Sequence, residues 1–460
     1  MKKVKLLLAM AVIVFSIMLC FSMNAFALTE GDWEFQLLDN EVMITKYLGD
    51  DVDVVVPDTI YGCPVTEITD MDIFSKVKPK SITVPGTVKK AGFNVSYGWD
   101  ELETLIYEDG VEHINACSIS SFKNLKNVKL SSTLKTIGEY TFRNTPSLKN
   151  IDVPASVTSI ENRAFENSGL TKIDINQLRN VKMGNFIFRD CVNLEELILP
   201  QDMTVVPPSL ASGCVKLNKI DLPVTVKKIE YHAFNETGIS QVILPSGLET
   251  VQMGAFAQTQ LIELVIPYGT KVVEDIFVGP NGFGEDCLTM KSLFLPDTVT
   301  SIDNYIDRCP NAIVYCSAGS KAEAACKRYK ASYLTDNSVN SGIHVYYNGK
   351  RISFHSYGQN PEILEGRTLV PLRSIFEAMG AEVEWDGATS TAIAKRGNVE
   401  VKIQIGVNEI YKNGKAIAVD VPAQLVNERT MVPARVIAEA FGADVQWNGN
   451  GRTVLISENR

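Results

Sequence analysis

The chain has 460 residues, is 45% hydrophobic and 21% charged, and carries a net charge of −10. That is too long for one ordinary core, and its acidity argues against nucleic acid as a partner, which calls for a basic stripe. With no low-complexity tract, the composition is that of a folded protein rather than a disordered one.

The opening segment reads as a secretory signal. Lys2, Lys3 and Lys5 precede an apolar run from Leu6 to Phe21, and Ala25-Phe26-Ala27 offers an A-x-A cleavage site. The run is too short to span a bilayer comfortably. The signal is therefore assigned to residues 1–27 and the mature chain begins at Leu28, with no transmembrane segment of its own. Cys20 is not read as a lipidation site, because bulky Ile17, Met18 and Leu19 precede it.

From Leu28 to Asp72 there are twelve acidic residues and one basic one, Lys46. Asp50-Asp51-Val52-Asp53 lacks the spacing of a calcium loop and is read as solvated acidic surface. Trp33, Phe35, Leu37 and Leu38 are expected to begin an N-terminal cap.

The cap leads into a repeat. A short apolar run ends at Pro85, Glu108, Ser131 and Pro154, 23 residues apart, and again at Asn176, Pro200, Pro223, Pro245, Pro267 and Pro296. Only the last interval is long, where an insert at 279–284 intervenes. In Leu148-x-x-Ile151-x-Val153 the apolar residues fall on one side of an extended strand, and Pro154, lacking an N–H, closes it. Val157 and Ile160 turn inward again and Ala164-Phe165 closes the coil. One such coil buries too little to fold alone, so a period of this kind means a stacked solenoid.

The pattern L-x-x-I-x-L-P-x-x-V-x-x-I-x-x-x-A-F resembles the bacterial leucine-rich repeats of BspA-like surface proteins, over about a dozen rungs from Asp53 to Tyr315. The resemblance implies a leucine-rich-repeat solenoid with a parallel sheet. After Tyr315, Lys321–Tyr329 reads as a capping helix with Ser320 as N-cap, and the solenoid with its caps is assigned to residues 28–335. The stretch 335–342 is polar and turn-rich, and residues 336–342 are read as a linker.

The eight cysteines of the mature chain do not form a disulfide pattern. Cys191, Cys214 and Cys309 fall where other rungs carry Thr145, Ser168, Thr237 and Thr259, a slot that asks for a small buried side chain. Cys191 with Cys214, and Cys316 with Cys326, are the pairs near enough to consider for bridges.

Beyond the linker the period changes. Asn348-Gly349 and Asn413-Gly414 are hairpin signals, and GRTLVPLRSIFEAMGAEVEW at Gly366–Trp385 is repeated as ERTMVPARVIAEAFGADVQW at Glu428–Trp447, 62 residues later. Pro371 and Pro433 are expected in a helix's first turn, with Gly380 and Gly442 as stops. The duplicated motif resembles the copper amine oxidase N-terminal-like module, or stalk domain, over residues 343–460. That implies an accessory α+β module of helix and antiparallel strands, found on secreted Gram-positive proteins, without oxidase chemistry. Arg373 with Glu377 and Arg435 with Glu439 are read as exposed ion pairs.

No catalytic or metal motif is present: His113, His232, His344 and His355 are scattered, and neither H-E-x-x-H, C-x-x-C nor G-x-S-x-G occurs. Adjacent acids such as Glu195-Glu196 and Glu285-Asp286 face opposite ways on a strand. No enzyme, cofactor or metal site is indicated. What the rungs offer is a surface. The outward position of successive rungs turns apolar along the array, and Ile198, Ile243, Val265, Phe294 and Val314 are assigned to a ligand-binding face, unless the C-terminal module folds over it. The expected function is a secreted, non-enzymatic surface protein that binds an extracellular protein or glycan. The competing reading is an envelope component whose stalk-like module associates with the cell wall while the repeats act as a spacer.

Overall fold

The computed structural model describes residues 27–68, 73–92, 100–277, 287–302, 306, 309–340, 342–354, 359–364, 366–449 and 452–458. The signal up to Phe26, the insert at 279–284, His355 and Glu285-Asp286 lie outside the described residues. The chain divides into two compact units, one ending at Val157 and the other starting at Thr158.

The first unit opens with antiparallel strands Leu28–Glu30, Trp33–Leu38 and Glu41–Tyr47. Asp39 and Asn40 both take positive φ in the two-residue turn, the combination that matches strand twist in a tight hairpin. Alternation buries Trp33 and Phe35 and leaves Leu38 exposed, so the expected cap is built on one face of this hairpin. Its last strand pairs in parallel with Cys63–Ile68, and from there every pairing between rungs is parallel. Asp53–Val55, Ser81–Val84, Thr104–Tyr107 and Asn127–Lys129 form one ladder. Lys90–Ala91, His113–Ile114 and Thr136–Ile137 form a second. Ile82 faces Leu105 and Leu105 faces Val128, so each contact repeats one period later. The resulting core is a column of like side chains, among them Leu105, Phe122, Ile137 and Phe142.

The second unit continues the same construction. Lys172–Asp174 pairs with Glu196–Ile198, and Glu263–Val265, Ser292–Leu295, Ile313–Cys316 and Tyr333–Thr335 form a four-stranded parallel ladder. On the other side of the coil run Val205–Val206, Lys228–Ile229, Thr250–Val251, Val272–Val273 and Ser301–Ile302. The A-F element has a plain packing role. Ala164, Ala233 and Ala255 are fully buried, and the aromatic rings after them stack between rungs, Phe165 on Phe188 at 5.6 Å and Phe234 on Phe256 at 5.7 Å.

The slot after each aromatic does want a small buried donor. Thr237 and Thr259 each give their hydroxyl to the carbonyl of the phenylalanine three residues before, at 2.9 Å. Cys191 and Cys214 give their thiols to the carbonyls of Phe165 and Phe188, one rung further back, at 3.1 Å. The threonines supply a donor to a buried backbone carbonyl, and the thiols add a second donor to carbonyls that already accept the Ser168 and Cys191 N–H groups. All eight described cysteines are thiols, so neither bridge considered from the sequence is formed.

The helix Lys321–Tyr329 is capped as expected: Ser320 accepts from the Glu323 N–H, and Glu323 accepts in return from Gly319 at 2.7 Å. The segment expected as a linker is docked. Asn337–Asn340 forms a 3-10 turn, and Asp336 and Val339 are buried. Asn340 accepts from the Asp297 N–H and donates to the Asp297 carboxylate and the Ser317 hydroxyl. The polarity that resembled a linker goes into bonds with preceding rungs.

The duplicated module forms three antiparallel-rich sheets. Its central sheet runs Glu362–Leu364, Arg367–Pro371, Arg429–Pro433, Gln424–Val426, and in the middle pair Val370 faces Val432, its own counterpart 62 residues on. The two copies are thus related by a local two-fold through that pair. Helices Leu372–Ala378 and Ala434–Ala440 bury Ile375, Phe376, Ile437 and Ala438 against it. Pro371 and Pro433 end the strands and stand immediately before the helices rather than in their first turn; proline's fixed φ suits both strand end and helix entry. Gly380 and Gly442 follow the helices at φ of 78° and 84°, a conformation glycine adopts without strain. Among the described residues no helix is long and apolar enough to cross a membrane.

Candidate ligand face of the repeats

The strand register fixes which side chains share the outward column. Ile106 stands beside Lys129, Asp174 beside Ile198, and Val265 beside Phe294. Ile198, Ile243 and Val265 are half-buried; Leu197 with Leu199 and Leu264 with Ile266 beside them are buried, whereas beside Ile243 only Leu244 is buried and Val242 is half-buried.

Two of the five assigned positions differ from expectation. Val314 is not in the outward column: it pairs with Leu293, is 2% exposed, and belongs to the core. A one-residue slip exchanges the faces of a strand, and the residue beside Phe294 is Tyr315, the rings stacked at 4.5 Å. Val314 and Cys316 are both buried and pair with Leu293 and Leu295, the buried positions of the preceding strand. Phe294 does face outward but is only 5% exposed, because the C-terminal module covers it.

The cover is the hairpin His344–Tyr347 and Lys350–Arg351. The Arg351 guanidinium lies 4.1 Å from the centre of the Phe294 ring, completing a stack of Tyr315, Phe294 and Arg351. Tyr346 hydrogen-bonds Glu263, whose carboxyl is pushed up by burial and held back by that bond and by the Arg351 charge. Gly349 at the hairpin tip lies near Gln241. His344, buried beside Arg351 and Arg452, is pushed down to about 3 by burial first and by the two arginine charges second. Of the stripe read from the sequence, the part around Phe294 is thus the seat of the chain's own hairpin.

In the first unit the corresponding column is polar. Thr104, Ile106, Asn127, Lys129, Lys149 and Asn150 line a shallow groove of about 340 Å³. Lys129 is exposed, Ile106 half-buried, and Asn127 donates to Thr104 across the rungs at 3.3 Å. Among the described residues no group of three or more His, Cys, Asp or Glu is placed to hold a metal.

Short parallel strands recurring every turn around a column of leucine, isoleucine and phenylalanine define a leucine-rich-repeat solenoid. The chain belongs to the BspA-type leucine-rich repeat family, whose profile matches residues 66–183 and 181–311 in six copies. A second profile, copper amine oxidase N-terminal domain, matches residues 346–456. Among solved structures the chain is similar to a leucine-rich repeat protein from Bacteroides ovatus, at 18% identity over 70% of this chain and 82% of that one, with a TM-score of 0.49. It is also similar to a leucine-rich cell surface protein from Faecalibacterium prausnitzii, at 21% identity over 66% of this chain and 98% of that one, with a TM-score of 0.34. No curated protein matched the chain.

Proposed function

We propose that this is a secreted, non-enzymatic binding protein at the surface of a Gram-positive-type bacterium, recognising an extracellular protein or glycan through the outward face of its repeats. The family it belongs to supports a surface-binding role, and the signal-like opening supports secretion. The observation that carries the choice of face is the difference between the outward rung positions of the two units, each taken by itself. Around Phe294 in the second unit those positions are taken by the chain's own hairpin, whereas in the first unit, from Thr104 to Asn150, they present polar groups and one aliphatic side chain in a groove. A mixed surface of that kind suits a specific contact.

The test is binding of the intact secreted protein to a panel of immobilised extracellular-matrix proteins and mucin glycans. Replacing Ile106 with Asp and Lys129 with Glu together should weaken capture by roughly tenfold or more, the usual effect of losing interface anchors, with an unchanged melting temperature. Capture of no member of the panel, or capture unaffected by the double change, would contradict the proposal. The envelope reading, in which the repeats are a spacer, predicts that second result.

A further inference from the structure

The local two-fold of the C-terminal module produces two clefts that neither the repeats nor the hairpin seat account for. The first, about 420 Å³, is walled by Arg435 and Trp447 of the second copy and by Ile363, Arg367 and Thr368 of the first. The other, about 660 Å³, is walled by Arg373 and Trp385 of the first copy and by Leu425, Arg429 and Thr430 of the second. Each of these residues has its counterpart 62 positions away in the other cleft. Every cleft therefore takes its tryptophan and one arginine from one copy, and an aliphatic, an arginine and a threonine from the other.

The tryptophans are the unusual feature. Trp385 is 46% and Trp447 43% exposed, and Leu425 and Ile363 opposite them are 58% and 45% exposed. A large ring left open on a strand, twice and at equivalent positions, is not needed for packing; the module's core is made by Phe376, Phe441 and their aliphatic neighbours. Beside each indole stands a glycine, Gly387 or Gly449. A Cβ there would lie 3.7 or 3.4 Å from the indole nitrogen, in ordinary van der Waals contact with that edge of the ring. Around the rings the polar groups include both donors and acceptors. Arg367 is held by Asp420 through two nitrogens at 2.5 and 2.7 Å, Gln446 lines the first cleft, and Glu384 and Glu428 line the second.

We infer that these twin clefts bind a polysaccharide of hexopyranose units, one stretch of the chain in each. The axial C–H face of a pyranose ring is apolar and flat and stacks on an exposed indole, while its hydroxyls both donate and accept. Arginine, threonine and carboxylate side chains around one aromatic platform match that chemistry, and the cleft sizes fall in the range of small-ligand sites. Two acids face two arginines in the larger cleft, and in the smaller one Arg367 pairs with Asp420 and Arg435 with Glu439, so neither lining is strongly cationic, which favours an uncharged polymer over an acidic one. Duplication adds a further gain. Two weak sites on one rigid module, engaged by one polymer, bind far more tightly than either alone. This proposal is independent of the reading of the repeat face.

The experiment is co-sedimentation of the intact protein with purified peptidoglycan sacculi, chitin and cellulose, with soluble chito- and cello-oligosaccharides as competitors. The expected result is retention on at least one polymer. Trp385→Ala and Trp447→Ala should each weaken it roughly tenfold or more, and the double variant should abolish it. Trp→Phe at both positions, which keeps a stacking ring, should retain binding, and the melting temperature of each variant reports whether the fold survives. An oligosaccharide should compete where its monosaccharide does not. Retention on none of the three polymers would overturn the proposal, as would a folded double alanine variant that binds like the parent. Loss of the repeat-face contact by the Ile106 and Lys129 changes should leave sedimentation intact, so the two readings fail separately.

Discussion

Replacing Phe294 with Ala should destabilise the protein by about 3–5 kcal/mol, the range for truncating a buried phenylalanine. From the sequence alone the position is an exposed point on a sheet, where the same change costs well under about 1 kcal/mol. The difference arises from what lies above it. Phe294 sits between Tyr315 and Arg351, and the substitution removes the ring that both contact. It also leaves the guanidinium with less apolar cover and the neighbouring Glu263–Tyr346 bond less shielded from water. Chemical denaturation of the intact protein checks this directly. A loss below about 1 kcal/mol would mean that the hairpin does not rest on this face.

Acid should unfold the second unit through His344. In the folded protein this imidazole is held neutral down to about pH 3 by burial and by Arg351 and Arg452, whereas in the unfolded chain it protonates near its ordinary value of about 6.5. Below about pH 6.5 the unfolded state therefore binds a proton that the native state refuses. Stability falls with pH by up to about 1.4 kcal/mol per unit, amounting to about 4 kcal/mol by pH 3, and the contribution is absent above pH 7. Glu263 acts in the opposite sense, since a carboxyl held above its ordinary value favours the folded state once protonated. Comparison with His344→Gln separates the two. The variant should lose the dependence between pH 6.5 and 4 while keeping any contribution from Glu263. An unchanged slope would show that His344 is not buried against the arginines.

Much of the fold was legible in the sequence. The 23-residue period and its alternation are a local signal repeated many times, so the parallel pairing of Ile82, Leu105 and Val128 follows from any one rung. The helix cap at Ser320 and the offset of 62 between the module's copies were equally local. What was not legible depended on contacts between segments far apart in the chain. Alternation places Phe294 outward, and correctly so, but cannot say that residues 344–351 return to cover it. The segment before that hairpin looked like a linker because it is polar, yet Asn340 uses its amide to bind Asp297 and Ser317. Val314 was misplaced for a simpler reason. With no proline to mark the end of that last strand, its phase was ambiguous by one residue, and the pairing of Tyr315 with Phe294 decides it. The clefts at Trp385 and Trp447 were hidden as well, because each is assembled from both copies, and only the antiparallel pairing of Val370 with Val432 brings them together.

The seating of the C-terminal module's hairpin on the outward face of the repeats decides which part of that face is left for a ligand. A double-mutant cycle on the intact protein, combining Phe294→Ala with Arg351→Ala, tests it most directly. Residues in contact share an interaction energy, so the two losses of stability should fall short of additivity by about 1 kcal/mol or more. Losses that add to within about 0.3 kcal/mol would place the two side chains out of contact and contradict the seating.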